Sequence, residues 1–338
     1  MIGEYALDKL LYKYGIDAQK VINKNENILT YGEYKDIDDT LNYLVNELKI
    51  NVKYIEKAPS IMYLNVSDIK NNVEFLKQKK IELSNVESCL HVLSTKTNEL
   101  IKTYNYVEKN YGVNVINKVT SILAVSKEKI LDIENLNIPN ISKNDIISIA
   151  IGRNDILEIK KIINSEEFKK YPHLFTSQTL AHAKLDEIVK IINSEEFKKY
   201  PHLFTSKTLA CAKLDDIKTL LNLHYFEEEK YKRLLTSVVL AKAKTMITKL
   251  PILIKMAEDY KIDNYITTTY LLFSPSQNYA IINYLNCNNI PLITDDYKLN
   301  PMFGKQMGVL KKKYNIDLKE LMKEYPLPIE YKEEKKIK

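Results

Sequence analysis

Residues 161–177 read KIINSEEFKKYPHLFTS, and residues 190–206 repeat the same letters. The offset is 29, and the copies continue as QTLAHAKLDEI and KTLACAKLDDI. In that continuation they differ at Gln178/Lys207, His182/Cys211 and Glu187/Asp216. A period of this length marks an array in which each copy is one supersecondary unit. Weaker copies flank the pair. LTSVVLAKAKTMI from Leu235 matches at an offset of 31, and SIAIGRNDI from Ser148 matches upstream at 31. Further out, turn-like strings surround Ile28, Ile61, Val92, Ile122, Leu272 and Met302, at spacings mostly near thirty.

Each unit reads as two helices. Ile188, Ile191 and Ile192 recur at i, i+3, i+4, which is one helical face. Asp186 is the expected N-cap of that helix. Pro201 ends it, because proline disfavours the helical conformation at Tyr200. Leu203 and Phe204 plug the turn, and Ser206 is the expected cap of a second helix with Leu209, Ala210 and Leu214 inside. Ser274-Pro275 gives another start, a cap followed by proline at the first helical position. Two short helices cannot bury their apolar faces alone, so neighbours must stack. The small residues Ala181, Ala183, Ala210 and Ala212 let adjacent helices approach closely.

The expected fold is therefore all-α, a right-handed superhelical α-solenoid of about nine two-helix repeats of roughly 30 residues. It spans 1–325 as one domain, with degenerate repeats over 20–150, near-identical ones over 158–217 and degenerate ones over 218–325. Residues 326–338 read as a charged, disordered tail.

Three stretches carry a family resemblance: YPHLFTSKTLACAKLDDI from Tyr200, APSIMYLNVSDIKNNVEFL from Ala58, and CLHVLSTKTNELIKTYNYV from Cys89. Helix, proline, apolar pair, small polar cap and second helix, over roughly 20–325, resemble the mitochondrial transcription termination factor (mTERF) family. The resemblance implies a curved superhelix with a basic concave surface that holds duplex DNA, or RNA in some members. The N-terminus reads as neither a signal nor a transit peptide. Two copies are almost identical. Both points suit a bacterial or mobile-element relative.

The net charge is +6, which permits a polyanionic partner without demanding one. In the sequence register one position holds Arg153, Lys184, Lys213 and Lys244, with Lys102 aligned upstream and Lys312 and Lys313 in the late cluster Lys311-Lys312-Lys313. Such a row can follow a phosphate backbone, and it reads equally as a solvated face. A second set varies between copies: Gln178 and His182, Lys207 and Cys211, Val238 and Lys242. Lys207 and Lys242 add cations to the row. Side chains at i and i+4 share a helix face, the pattern by which modular repeats read one feature per unit, although drift on an exposed face gives the same pattern.

Catalytic signatures are thin. The sequence lacks HExxH, CxxC, GxSxG and the phosphate-binding GxxxxGK[ST]. His173 and His202 are copies in the turn and read as structural caps. Asp295-Asp296 is a loop acidic pair read as no metal site. Cys89, Cys211 and Cys287 are far apart and read as buried small apolar residues in a reducing compartment. No apolar run is long enough for a membrane span. The expectation is a cytoplasmic monomer that is not an enzyme and has no cofactor or metal. Its first-choice partner is nucleic acid, DNA ahead of RNA. The alternative is a protein-interaction scaffold, or a mobile-element inhibitor that captures a host protein.

Overall fold

The computed structural model describes residues 2–331, and nearly all of their regular structure is helical. Twenty-five α-helices are interspersed with short 3-10 turns and one π-helical stretch, Asn42–Glu47, and the described residues contain no strand, only an isolated bridge between Ile293 and Leu299. The chain divides into two compact units, one up to Ile156 and one from Leu157.

The first unit contains α1 (Tyr34–Leu41), α2 (Val66–Gln78), α3 (Thr97–Tyr111) and α4 (Lys127–Asn135). Local chemistry sets their ends. The Asn65 side chain caps α2 by accepting from the Ser67 N–H, and Ser126 caps α4 through the Lys129 N–H. Gly112, at φ +87, stops α3 in a backbone region closed to most side chains. Ile69, Val73 and Leu76 line the buried stripe of α2, and Leu100, Tyr104 and Val107 that of α3. The anchors expected in the turns, Ile28, Ile61, Val92 and Ile122, are all fully buried.

Each of these helices packs on the next, and one buried polar side chain fixes the step. Thr40 Oγ1 donates to the Leu64 carbonyl at 3.1 Å. Asn72 Nδ2 donates to the carbonyls of Leu93 at 2.9 Å and Thr95 at 2.6 Å. Thr103 Oγ1 donates to the Val125 carbonyl at 2.8 Å. Donors and acceptors both recur every 30 to 32 residues. These bonds satisfy turn carbonyls that no helix can reach, and an unsatisfied buried carbonyl costs about 1–3 kcal/mol.

The second unit opens with α5 (Ile156–Ile163) and holds the verbatim copies. Here the two-helix expectation needs correction. After α6 (Ser177–His182), one copy runs through α7 (Leu185–Ile192), α8 (Glu195–Lys199), the 3-10 turn Pro201–Leu203 and α9 (Ser206–Cys211). Lys184, not Asp186, occupies the N-cap of α7, and Thr205, not Ser206, caps α9. Ser194 takes the Phe197 N–H and starts α8, so the segment before Pro201 is two helices. Tyr200 is non-helical at φ -130, as its proline neighbour dictates. The helix from Ser206 does not continue to Leu214. It breaks at Ala212 and Lys213, and α10 (Leu214–Leu221) starts anew.

A long-range bond accounts for the break. In a continuous helix the Leu214 N–H would reach the Ala210 carbonyl. Instead it donates to Glu187 Oε1 at 2.7 Å. One copy earlier the Leu185 N–H donates to Glu158 Oε1 at 2.8 Å. The same bond recurs at the same 27-residue reach in the two copies. Downstream lie α11 (Ser237–Leu240), α12 (Ala243–Asp259), α13 (Thr268–Leu272) and α14 (Pro275–Cys287). Equivalent helices neighbour one another: α6, α9, α11 and α13 in one series, and α7, α10, α12 and α14 in the other. The buried Ala181 and Ala183 lie at the α6 end of the first series. Ser274 and Pro275 start α14 as expected, with Gln277 completing a capping box.

Of the expected tail, 332–338 lie outside the described residues. Within 326–331, Pro326, Ile329 and Glu330 are exposed, but Tyr331 is buried and donates its hydroxyl to Asp259 Oδ2 at 2.7 Å.

Candidate nucleic-acid interface

The helix starts give a structural register. The residue before the second-series helix is Asn65, Lys96 and Ser126 in the first unit, then Asp155 ahead of α5, and Lys184, Lys213 and Lys242 in the second. From Ser126 onward every step is 29 residues. Lys184 and Lys213 share one extended backbone conformation, φ -103 and ψ 138 against φ -104 and ψ 148, whereas Lys242 differs, at φ -110 and ψ 21. All three are exposed. Each follows a first-series helix that packs on its equivalent, so the three recur at one place in the helix register.

The row expected from sequence shifts at both ends. Lys244 sits two residues inside α12, about 200° around the axis from the position before the helix. Its in-register counterpart is Lys242. Arg153 is exposed in a bend, and Asp155 is the counterpart of Lys184. The cause is local: eight residues separate Thr205 from Lys213, but only six separate the equivalent cap Thr236 from Lys242. Nor are Lys184 and Lys213 on a helix, as expected; both hold extended backbone ahead of one.

Among the described residues no carboxylate forms an ion pair with Lys184, Lys213 or Lys242, although lysines elsewhere are commonly paired. Burial and then the Lys242 ammonium pull the Lys249 amine of α12 below its ordinary value. The remaining candidates are dispersed. Lys102, on α3, is exposed and bound to Glu99 at 2.8 Å. Lys312 and Lys313 are exposed at the end of α15 (Met307–Tyr314), where Lys313 lies 5.4 Å from the centre of the Tyr314 ring and Lys311 pairs with Asp317 at 3.5 Å.

The copy-variable residues stay on successive neighbours. Gln178 and Lys207 are exposed on α6 and α9, and Val238 is half-buried on α11. His182 and Cys211 are exposed at the ends of α6 and α9. Cys287 is also exposed, so of the three cysteines only Cys89 is buried as expected. His173 and His202 are exposed on their turns. Asp296 is held by Lys298 at 2.6 Å, and no cluster of three or more metal-ligating side chains occurs among the described residues.

Sequence reasoning missed the clamps Glu158 and Glu187 and the donors Thr40, Asn72 and Thr103. Their signal was present: each set recurs at the repeat offset.

Fold and surface define an all-α protein whose equivalent helices pack on one another, with a lysine row at one recurrent position. No protein-family model, no curated protein and no solved structure matches the chain. No helix of the described residues is long and apolar enough to cross a membrane.

Proposed function

We propose that the chain is a nucleic-acid-binding protein that grips the phosphate backbone of duplex DNA through Lys184, Lys213 and Lys242. In this reading the repeats of each unit stack as a right-handed superhelical solenoid. The observation that carries it is the exposed, carboxylate-free lysine at three consecutive positions spaced 29 residues apart. Packed helices lie on the order of 10 Å apart, so the ammonium groups follow a strand of phosphates at intervals of a few nucleotides. The likeness to the termination-factor motif points the same way. No base-reading side chain is assigned, so binding is expected to be insensitive to sequence.

The test is duplex binding across a salt series with Lys184, Lys213 and Lys242 changed together to Glu. Loss of binding, with a shallower salt dependence, supports the reading. Unchanged binding to both DNA and RNA defeats it.

A protein partner is favoured by a separate surface. Val309, 42% exposed, lines an open hollow of about 520 Å³ bordered by Lys312 and Lys313, and Met307, 46% exposed, lies on the same helix. Exposed apolar side chains rimmed by charge mark interaction sites. Nuclease-resistant capture that Met307→Asp abolishes would establish this second reading.

A further inference from the structure

The third residue of the second-series helix is acidic in Asp68, Glu99, Glu158, Glu187 and Asp216. In α4 the same position is Lys129. The inversion changes the bond it makes. Glu158 and Glu187 accept a main-chain N–H from the next copy, whereas Lys129 Nζ donates to the Gly152 carbonyl at 3.2 Å. An ammonium carries three donors. That carbonyl occupies one of them.

Lys129 is half-buried between two hollows. One, of about 320 Å³, holds Arg153 but also Glu128, Asp132 and Asp155, so its charge is largely answered. The other, of about 390 Å³, is lined by His91, Ser121, Ser126 and Lys129 and contains no carboxylate. Burial pulls the Lys129 amine below its ordinary value, with Asp155 opposing. A partly desolvated cation facing an imidazole and two hydroxyls gains most from a ligand with several acceptor oxygens and a negative charge.

We propose that the hollow between His91, Ser121 and Lys129 binds a phosphate group. Lys129 supplies the charge, and His91, Ser121 and Ser126 supply further hydrogen bonds. The phosphate belongs either to a nucleic-acid backbone or to a small phosphorylated molecule. The site does not depend on the Lys184–Lys213–Lys242 row.

The test titrates the full chain with inorganic phosphate, followed by ³¹P line broadening, against chloride at matched ionic strength. Saturable broadening is expected in the wild type. Lys129→Met and Lys129→Glu should weaken it by at least about tenfold. Lys129→Glu installs the acid found at Asp68, Glu99, Glu158, Glu187 and Asp216 (α12 and α14 have Thr245 and Gln277 there), and circular dichroism confirms that both variants fold. The triple Glu variant of the lysine row should keep the signal. Absence of saturable broadening, or wild-type affinity in folded Lys129→Met, overturns the proposal. A short DNA duplex that displaces phosphate, and that Lys129→Met binds more weakly, assigns the site to backbone phosphate. A duplex that leaves the signal intact assigns it to a small phosphorylated molecule. Phosphate binding without any duplex binding would defeat the nucleic-acid reading and leave this one standing; duplex binding without phosphate binding would do the reverse.

Discussion

The carboxylate of Glu187 takes the main-chain N–H of Leu214 at 2.7 Å, a residue one copy further along the chain. Anions are favoured at a helix N-terminus, where amide N–H groups lack intrahelical partners. This contact both ends α9 early and starts α10. Glu187→Ala is expected to destabilise the protein by about 1–3 kcal/mol, the range for a hydrogen bond to a charged group. Glu187→Gln, which keeps an acceptor, should cost less. Urea denaturation of the two variants checks the order, and equal midpoints would remove the role assigned to this contact.

Thr103→Val keeps shape while leaving the Val125 carbonyl without its donor. A loss of about 1–3 kcal/mol is expected. Hydrogen exchange should report it as faster opening around α3 and the following turn. Unaltered protection there would show that the bond does not fix the step.

The register distinguishes Lys242 from Lys244. Lys242→Glu should weaken duplex binding and flatten its salt dependence, by roughly one unit of slope for one lost phosphate contact. Lys244→Glu, off the row, should have the smaller effect. Gel shifts at two salt concentrations decide, and the opposite ranking would return the row to its sequence alignment.

The Tyr106 phenol is pushed up to about 12, first by burial and then by its hydrogen bond to Glu134. The Tyr111 hydroxyl donates to the same carboxylate. The unfolded chain releases such a proton near pH 10. The stability contributed by the raised Tyr106 phenol is therefore complete below about pH 10 and is lost as pH rises toward about 12. Tyrosinate absorbance should show Tyr106 titrating late, and Glu134→Gln should bring it earlier. A Tyr106 titration at the ordinary value would contradict the contact.

Short-range chemistry made much of this fold legible. The copied letters, the apolar spacing of Ile188, Ile191 and Ile192, and the proline after Tyr200 all act within a turn or two. The break at Ala212 and Lys213 was not legible, because alanine, lysine and leucine all suit a helix and the cause lies 27 residues back at Glu187. The candidate row was displaced for the same reason. Sequence aligned Lys244 with Lys213 by letters, while the six-residue distance from Thr236 to Lys242 decides which cation opens the helix. Lys129 was hidden because its meaning depends on what neighbouring copies carry at the same position.

The first copied segment contains both halves of the joint, the acid Glu187 that reaches forward and the Leu185 amide that is reached; the second supplies the Leu214 amide and carries Asp216 in the acid's place. A further duplication of 29 residues inserted between the two copies would meet a matching partner on either side. Genes built this way can grow or shrink by whole units through unequal recombination.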